Sequence, residues 1–136
     1  MTNPVTMLPG HFCWLDLAAA DAGVAGEFYH QLLGWSLRTH AVNGGHFASF
    51  RLGEEEVATI YQLRTHHLAQ GVPSHWTPYI AVTSVDLSVR QAAALGASVV
   101  VAPFAIPGRA RIALLQDPVG AVLGLWQPLH CETRPG

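Results

Sequence analysis

From Cys13 the chain alternates, with Leu15 and Leu17 on one side and Trp14 and Asp16 on the other, which is the period-two signature of a strand. Asp21 then stands as an N-cap ahead of Val24, Ala25, Phe28, Leu32 and Leu33, an apolar stripe at helical spacing, and Gly34 closes the helix. From Trp35 the runs "WSLRTHAV", "HFASFRL" and "VATIYQL" read as three strands. Turns at "NGG" and "GEEE" separate them, which gives a βαβββ unit ending near Leu63.

The same order recurs. After a connector, "RTHHLAQGVPSH", the run "WTPYIAV" predicts a strand, Asp86 an N-cap, Leu87, Val89, Arg90, Ala93 and Leu95 a helix, and Gly96 its end. "SVVVAPFAI", "GRARIALLQ" and "AVLGLWQP" follow as strands, with "DPVG" turning the last pair. Leu17 and Asp21 match Val82 and Asp86 at an offset of 65 positions, and "IYQL" matches "LWQP" at the same offset. Gln62 and Gln127 are therefore one position in two copies of a module. The predicted organisation is a single domain: module one at about 10–63, a linker at about 64–75, module two at about 76–128 and a tail at 129–136.

Composition narrows what such a chain can do. Its 136 residues are half apolar, enough for one core, and only 12% are charged, against about 25% in soluble domains. So thinly charged a surface predicts that part of it is covered, most simply by a second copy, which makes a homodimer the expected state. The net charge of −2 and the scattered arginines argue against a nucleic-acid partner. No apolar run reaches the ~18 residues of a membrane span, and "MTNPVTMLPG" lacks a basic start, so a cytoplasmic protein is expected. Cys13 and Cys131 are then expected to be reduced thiols.

The segments "DLAAADAGVAGEFYHQLLGW" and "LLQDPVGAVLGLWQP" together resemble the signatures of the vicinal oxygen chelate superfamily, which holds glyoxalase I, extradiol dioxygenases, methylmalonyl-CoA epimerase and the bleomycin-resistance proteins. The resemblance covers about Gly10 to Pro128. It implies an α+β fold of two βαβββ modules forming curved mixed sheets around a cavity. It also implies, in the metal-dependent members, one ligand at the start of each module's first strand, typically histidine, and one at the end of its last, usually glutamate. The matching last-strand positions here are Gln62 and Gln127, and counting five residues back from Leu17 and Val82 gives Phe12 and Thr77. Phe12, Gln62, Thr77 and Gln127 offer no anion and no imidazole, a poor set for a transition ion. The expected cofactor is therefore none. The alternative is a divalent metal held by His11, Gln62, His75 and Gln127, although His11 lies one position and His75 two positions too early for the register.

Strand alternation predicts the cavity lining: Phe12, Trp14 and Asp16 from one first strand, Thr77, Tyr79 and Ala81 from the other, Gln62 and Gln127 at the far walls, with Leu123 and Leu125 beneath Gln127. The ligand-binding candidates are thus Phe12, Trp14, Gln62, Thr77, Tyr79, Leu125 and Gln127. Asp16 is the catalytic candidate, since a carboxyl in an apolar cavity acquires a raised pKa and can act as a general base. Each has a plainer account beside it: a paired carboxylate, core aromatics, or glutamines bonded to backbone. The function this supports is binding of a small organic molecule without a metal. The alternatives are a metal-dependent lyase, isomerase or dioxygenase, or a drug-sequestering resistance protein, for which Glu54, Glu55 and Glu56 are the other acidic material.

Overall fold

A computed structural model describes residues 8–42 and 45–129 and shows the α+β, twice-repeated βαβββ order that the sequence predicts. The first module runs β1 (Phe12–Ala19), α1 (Ala22–Leu33), β2 (Ser36–Val42), β3 (Gly45–Leu52) and β4 (Glu55–Gln62). A short helix, α2 (Thr65–Ala69), occupies the stretch expected to be a bare connector. The second module runs β5 (His75–Ala81), α3 (Val85–Ala94), β6 (Ser98–Ile106), β7 (Ala110–Gln116) and β8 (Val122–Pro128). Cys131, and the side chains of His40 and His46, lie outside the described residues. No helix among the described residues is long and apolar enough to cross a membrane.

The chain forms two compact units. One, Leu15–Thr77, contains α1; the other, formed among the described residues by 8–14 and 78–129, contains α3. In the α1 unit the strand order is β2-β3-β4-β1, with β1 parallel to β4 and the other pairs antiparallel. A parallel pair needs a crossover, and α1 with the β2–β3 hairpin supplies it. Asp21 caps α1 by accepting from the Val24 amide at 3.0 Å, and Gly34 ends it in the left-handed conformation, φ 80°, as expected. Leu17, Ala19, Phe50, Ala58 and Ile60 form the core on the helix side, with Ala22, Ala25 and Tyr29 of α1 against them. Phe50 is fully buried, with the Tyr29, Trp35 and Trp76 rings 5.5, 5.0 and 6.4 Å from its own. Burying a phenylalanine this way contributes roughly 1.5–3 kcal/mol. At Gly26 a Cβ would meet Leu37 Cδ1 at 2.5 Å, so a side chain there would displace the Leu37 methyl.

The α3 unit repeats the scheme as β5-β8-β7-β6, with β5 parallel to β8. Val85, Ala113, Leu115 and Leu125 make the core under α3, while Tyr79, Ala110, Ile112 and Trp126 form a cluster that includes Trp14 at its edge. The N-cap here is Ser84, whose Oγ accepts from the Leu87 amide at 3.2 Å. Asp86, expected to be the cap, instead sits in the first turn and makes a two-point pair with Arg111, at 2.8 and 3.0 Å.

That one difference exposes the true register of the repeat. In the α1 unit Asp16 lies opposite Thr59 and Leu17 opposite Ile60; in the α3 unit Tyr79 lies opposite Gly124 and Ile80 opposite Leu125. The last strands repeat at 65 positions, but the first strands and helix caps repeat at 63: Asp16 with Tyr79, Leu17 with Ile80, and cap Asp21 with cap Ser84. A slip of two preserves which face each strand residue occupies, because strand side chains alternate with period two.

Candidate functional site

Partners directly opposite on neighbouring strands put their side chains on the same face. Ala19, Leu17 and Ile60 belong to the helix-side core, and Gln62 is opposite Ala19, so Gln62 also faces α1. Its Oε1 accepts from the amide of Ala22, the first residue of α1, at 2.9 Å, while its Nε2 donates to the carbonyls of Ala20 and Leu63 at 2.7 and 3.1 Å. Gln127 does the same in the other unit: its Oε1 accepts at 2.8 Å from the amide of Val85, the first residue of α3. N-cap side chains reach the third helical amide, as Asp21 and Ser84 do, which leaves the first amide to be met by another group. The paired glutamines meet that need, and this is an occupation the repeat alone does not reveal. Leu125 shares their face: it is 6% exposed in the core under α3, rather than lining an open wall.

The opposite face of the α1 unit carries different chemistry. Asp16 on β1 and Thr59 on β4 are partners across the parallel pair, and the Thr59 hydroxyl donates to Asp16 Oδ1 at 2.7 Å. Burial pushes the Asp16 carboxyl up to about 6; the Thr59 bond and the nearby His75 offset part of that effect. Tyr61, two residues beyond Thr59 on the same strand and face, is 40% exposed, and its phenol is raised by burial and by the charge of Asp16. His75 opens β5 within this unit, its Nδ1 2.8 Å from the Pro73 carbonyl. Asp16 was identified from sequence; Thr59 and Tyr61 were not. The signal for them was present, since Ala58 and Ile60 are apolar and alternation turns Thr59 and Tyr61 to the other side.

In the α3 unit the same register positions are apolar. Tyr79, 4% exposed, replaces Asp16, and Gly124 replaces Thr59; a Cβ on Gly124 would lie 2.3 Å from the Tyr79 ring, so the ring rests flat on bare backbone. Trp126 meets Tyr79 edge-on at 5.8 Å and Trp14 at 5.7 Å, and the Arg109 guanidinium lies 5.8 Å from the Trp14 ring centre. Trp14 and Tyr79 are thus brought together around Trp126. Phe12 is 71% exposed, and Thr77 is buried, at 5%. The desolvated Cys13 thiol is raised to about 11, which leaves it a poor nucleophile at neutral pH.

The metal ligand set implied by the resemblance does not fit these residues. On the structural register His75, not Thr77, repeats Phe12, so the misregister argued from sequence against His75 falls away. Among the described residues no three His, Cys, Asp or Glu side chains gather where they could hold an ion. The oxygens of Gln62 and Gln127 are engaged by helix amides.

Comparison with known proteins agrees with the fold. The family described as a glyoxalase-like domain matches residues 14–125. CFP32 of Mycobacterium bovis, provisionally named a glyoxylase, is 35% identical over 116 residues, covering 84% of this chain and 44% of the relative. The anthracycline biosynthesis protein DnrV of Streptomyces peucetius is 28% identical over 130 residues, 88% of this chain and 47% of the relative. The chain therefore spans less than half the length of these relatives. Among solved structures, methylmalonyl-CoA epimerase from Mycobacterium tuberculosis superposes with a TM-score of 0.61 at 20% identity, covering 94% of this chain and 93% of that one.

Proposed function

Given that the chain belongs to the glyoxalase-like domain family, within the vicinal oxygen chelate superfamily, we propose that it binds a small organic molecule without a metal and that Asp16 is the group that handles a proton of that molecule. The observation that carries this reading is the Asp16 carboxyl itself, partly buried, bonded by Thr59 and raised to about 6. A carboxyl poised near neutral pH exchanges a proton readily, whereas one at its ordinary value is a feeble base. Pairs of shifted titratable groups collect at functional sites, and the neighbouring Tyr61 is shifted as well. That the second module fills the same place with Tyr79 over Gly124 supports a specialised role for the first.

The names of the relatives support small-molecule chemistry at a coarser level: one is provisionally named a glyoxylase and the other is an anthracycline biosynthesis protein. The donor set speaks against metal-dependent lyase, isomerase or dioxygenase chemistry, because glutamine oxygens committed to helix amides and one imidazole make a weak ligand field. A homodimer is part of the proposal. Val24, Phe28 and Leu32 of α1, spaced four residues apart, are 66, 56 and 61% exposed, an apolar stripe that a second copy would cover. So is a cytoplasmic location with Cys13 reduced.

The test has two arms. Elemental analysis after incubation with manganese, nickel, zinc and ferrous iron should find no stoichiometric metal, and stoichiometric metal lost on replacing His75 would overturn the metal-free reading. A thermal-shift panel of small carbonyl compounds, flat aromatics and cationic drugs should yield ligands whose stabilisation changes in Asp16→Asn. Binding indifferent to that substitution would remove Asp16 from the site.

A further inference from the structure

We propose that two copies of this chain dock α1 against α1, antiparallel, on the ridge Val24, Phe28 and Leu32, with Phe28 at the two-fold axis. The inference rests on the homodimer proposed above and deepens it, from a covered stripe to a defined contact.

The ridge comes from the helix itself. Residues four apart line up along a helix surface, and Val24, Phe28 and Leu32 are three consecutive members of one such row, each more than half exposed. The other face of α1 is committed: Ala22, Ala25 and Tyr29 pack on the core of the α1 unit, and Gly26 lies close to Leu37. Asp21, Gln62 and Gly34 satisfy the ends of the helix, so the ridge stands on a rod about 18 Å long at ~1.5 Å per residue. Glu27 is the only Asp, Glu, Lys or Arg within α1, and its carboxylate accepts from the Gln31 amide four residues on, which holds the charge along the flank.

Pairing with a second copy sets a symmetry condition. At a two-fold contact, if residue i meets residue j, then j meets i. A row of three satisfies this with Phe28 against Phe28 of the partner subunit and Val24 against the partner's Leu32, small against large. Charge sets the direction. Asp21 and Glu27 precede Phe28, and His30 follows it in the last turn. A parallel pair would place acid against acid. An antiparallel pair places the acids toward the imidazole end and opposes the two helix dipoles. Rows of residues four apart interlock at a crossing angle of about 50°, left-handed, with axes roughly 8–10 Å apart.

Size decides strength. Helices crossing that steeply touch over little more than the three ridge residues, well under the ~800 Å² per partner of a standard interface. The free chain therefore dimerises reversibly. CFP32 and DnrV are more than twice as long as the stretch each shares with this chain, which is room for a second domain of this size in one polypeptide. A short tether holds such a domain at an effective concentration on the order of millimolar, where a weak contact suffices. A second copy supplies the same partner here.

Sedimentation equilibrium from about 1 µM to about 1 mM should show the average mass climbing from one chain toward two. Phe28→Asp should raise the dissociation constant at least about 30-fold, the scale of a central aromatic anchor. Leu95→Asp, on the more exposed leucine at the end of α3, should leave it unchanged. Urea unfolding curves confirm that each variant folds. In a Cys13→Ser, Cys131→Ser background, a short bismaleimide should join Phe28→Cys to itself and Val24→Cys to Leu32→Cys. Val24→Cys joined to itself instead overturns the antiparallel register. A dimer indifferent to Phe28→Asp overturns this interface and leaves the homodimer standing on another surface. A chain that stays single at every concentration overturns the homodimer reading itself.

Discussion

Replacing Asp16 by asparagine isolates the electrostatic cost of the site. The carboxyl ordinarily titrates near 3.8 and is pushed up to about 6 in the folded chain, chiefly by desolvation. Between those values the folded protein holds a proton that the unfolded chain has released, so stability falls as pH rises through the window. The penalty is absent below about pH 4 and complete above about pH 6. At 1.36 kcal/mol per unit, a shift of about two units costs about 3 kcal/mol. Asparagine has nearly the same shape and still accepts the Thr59 hydroxyl, and the charge-assisted part of that bond is already contained in the net shift. Asp16→Asn should therefore stabilise the protein by about 3 kcal/mol at pH 8 and by nearly nothing at pH 4. With a urea m-value of about 2 kcal/mol/M, the unfolding midpoint should rise by about 1.5 M at pH 8 and coincide with the parent at pH 4. A pH-independent difference, or one largest in acid, would refute a desolvated carboxylate. Stabilisation on removing a charge is also what a site that stores strain for chemistry should show.

Other substitutions address the frame around the site. Gln127→Ala strands the amide of the fully buried Val85 and should cost about 1–3 kcal/mol in urea unfolding, whereas Gln127→Glu, an acceptor with a charge that suits a helix N-terminus, should hold stability near the parent. Gln62→Ala should likewise destabilise, by about 1 kcal/mol, because the amide of Ala22 is nearer solvent. Gly124→Ala drives a methyl to 2.3 Å from the Tyr79 ring and should cost roughly 1–3 kcal/mol, with a change in tryptophan fluorescence as Tyr79 leaves Trp126; Tyr79→Leu in the same chain should recover part of the loss. Incubation with zinc or manganese should leave the urea midpoint unchanged, and a rise that depends on metal concentration would contradict the metal-free site.

Hydrophobic periodicity, caps and turn residues are local properties, and they determined both modules. Every strand and both long helices lie where alternation, helical spacing and glycines place them, because each element buries one face and announces it within its own few residues. The short α2, with no apolar stripe to announce it, was not legible, and Asp86 passed for a cap because Ser84, two residues earlier, has the same capping chemistry. Identical spacing of Gln62 and Gln127 was also legible, but its meaning was not. A constant offset of 65 aligned the last strands correctly and the first strands two residues out, an error that period-two alternation hides. Only the pairing of β4 with β1 and of β8 with β5 decided the rest. It turned both glutamines toward the helices as caps, put Leu125 under α3, set Thr59 against Asp16 in one copy, and laid Tyr79 on Gly124 in the other. Which residue lies opposite which across strands some forty positions apart is fixed by hydrogen-bond register and core packing, and neither is written in any local stretch of the chain.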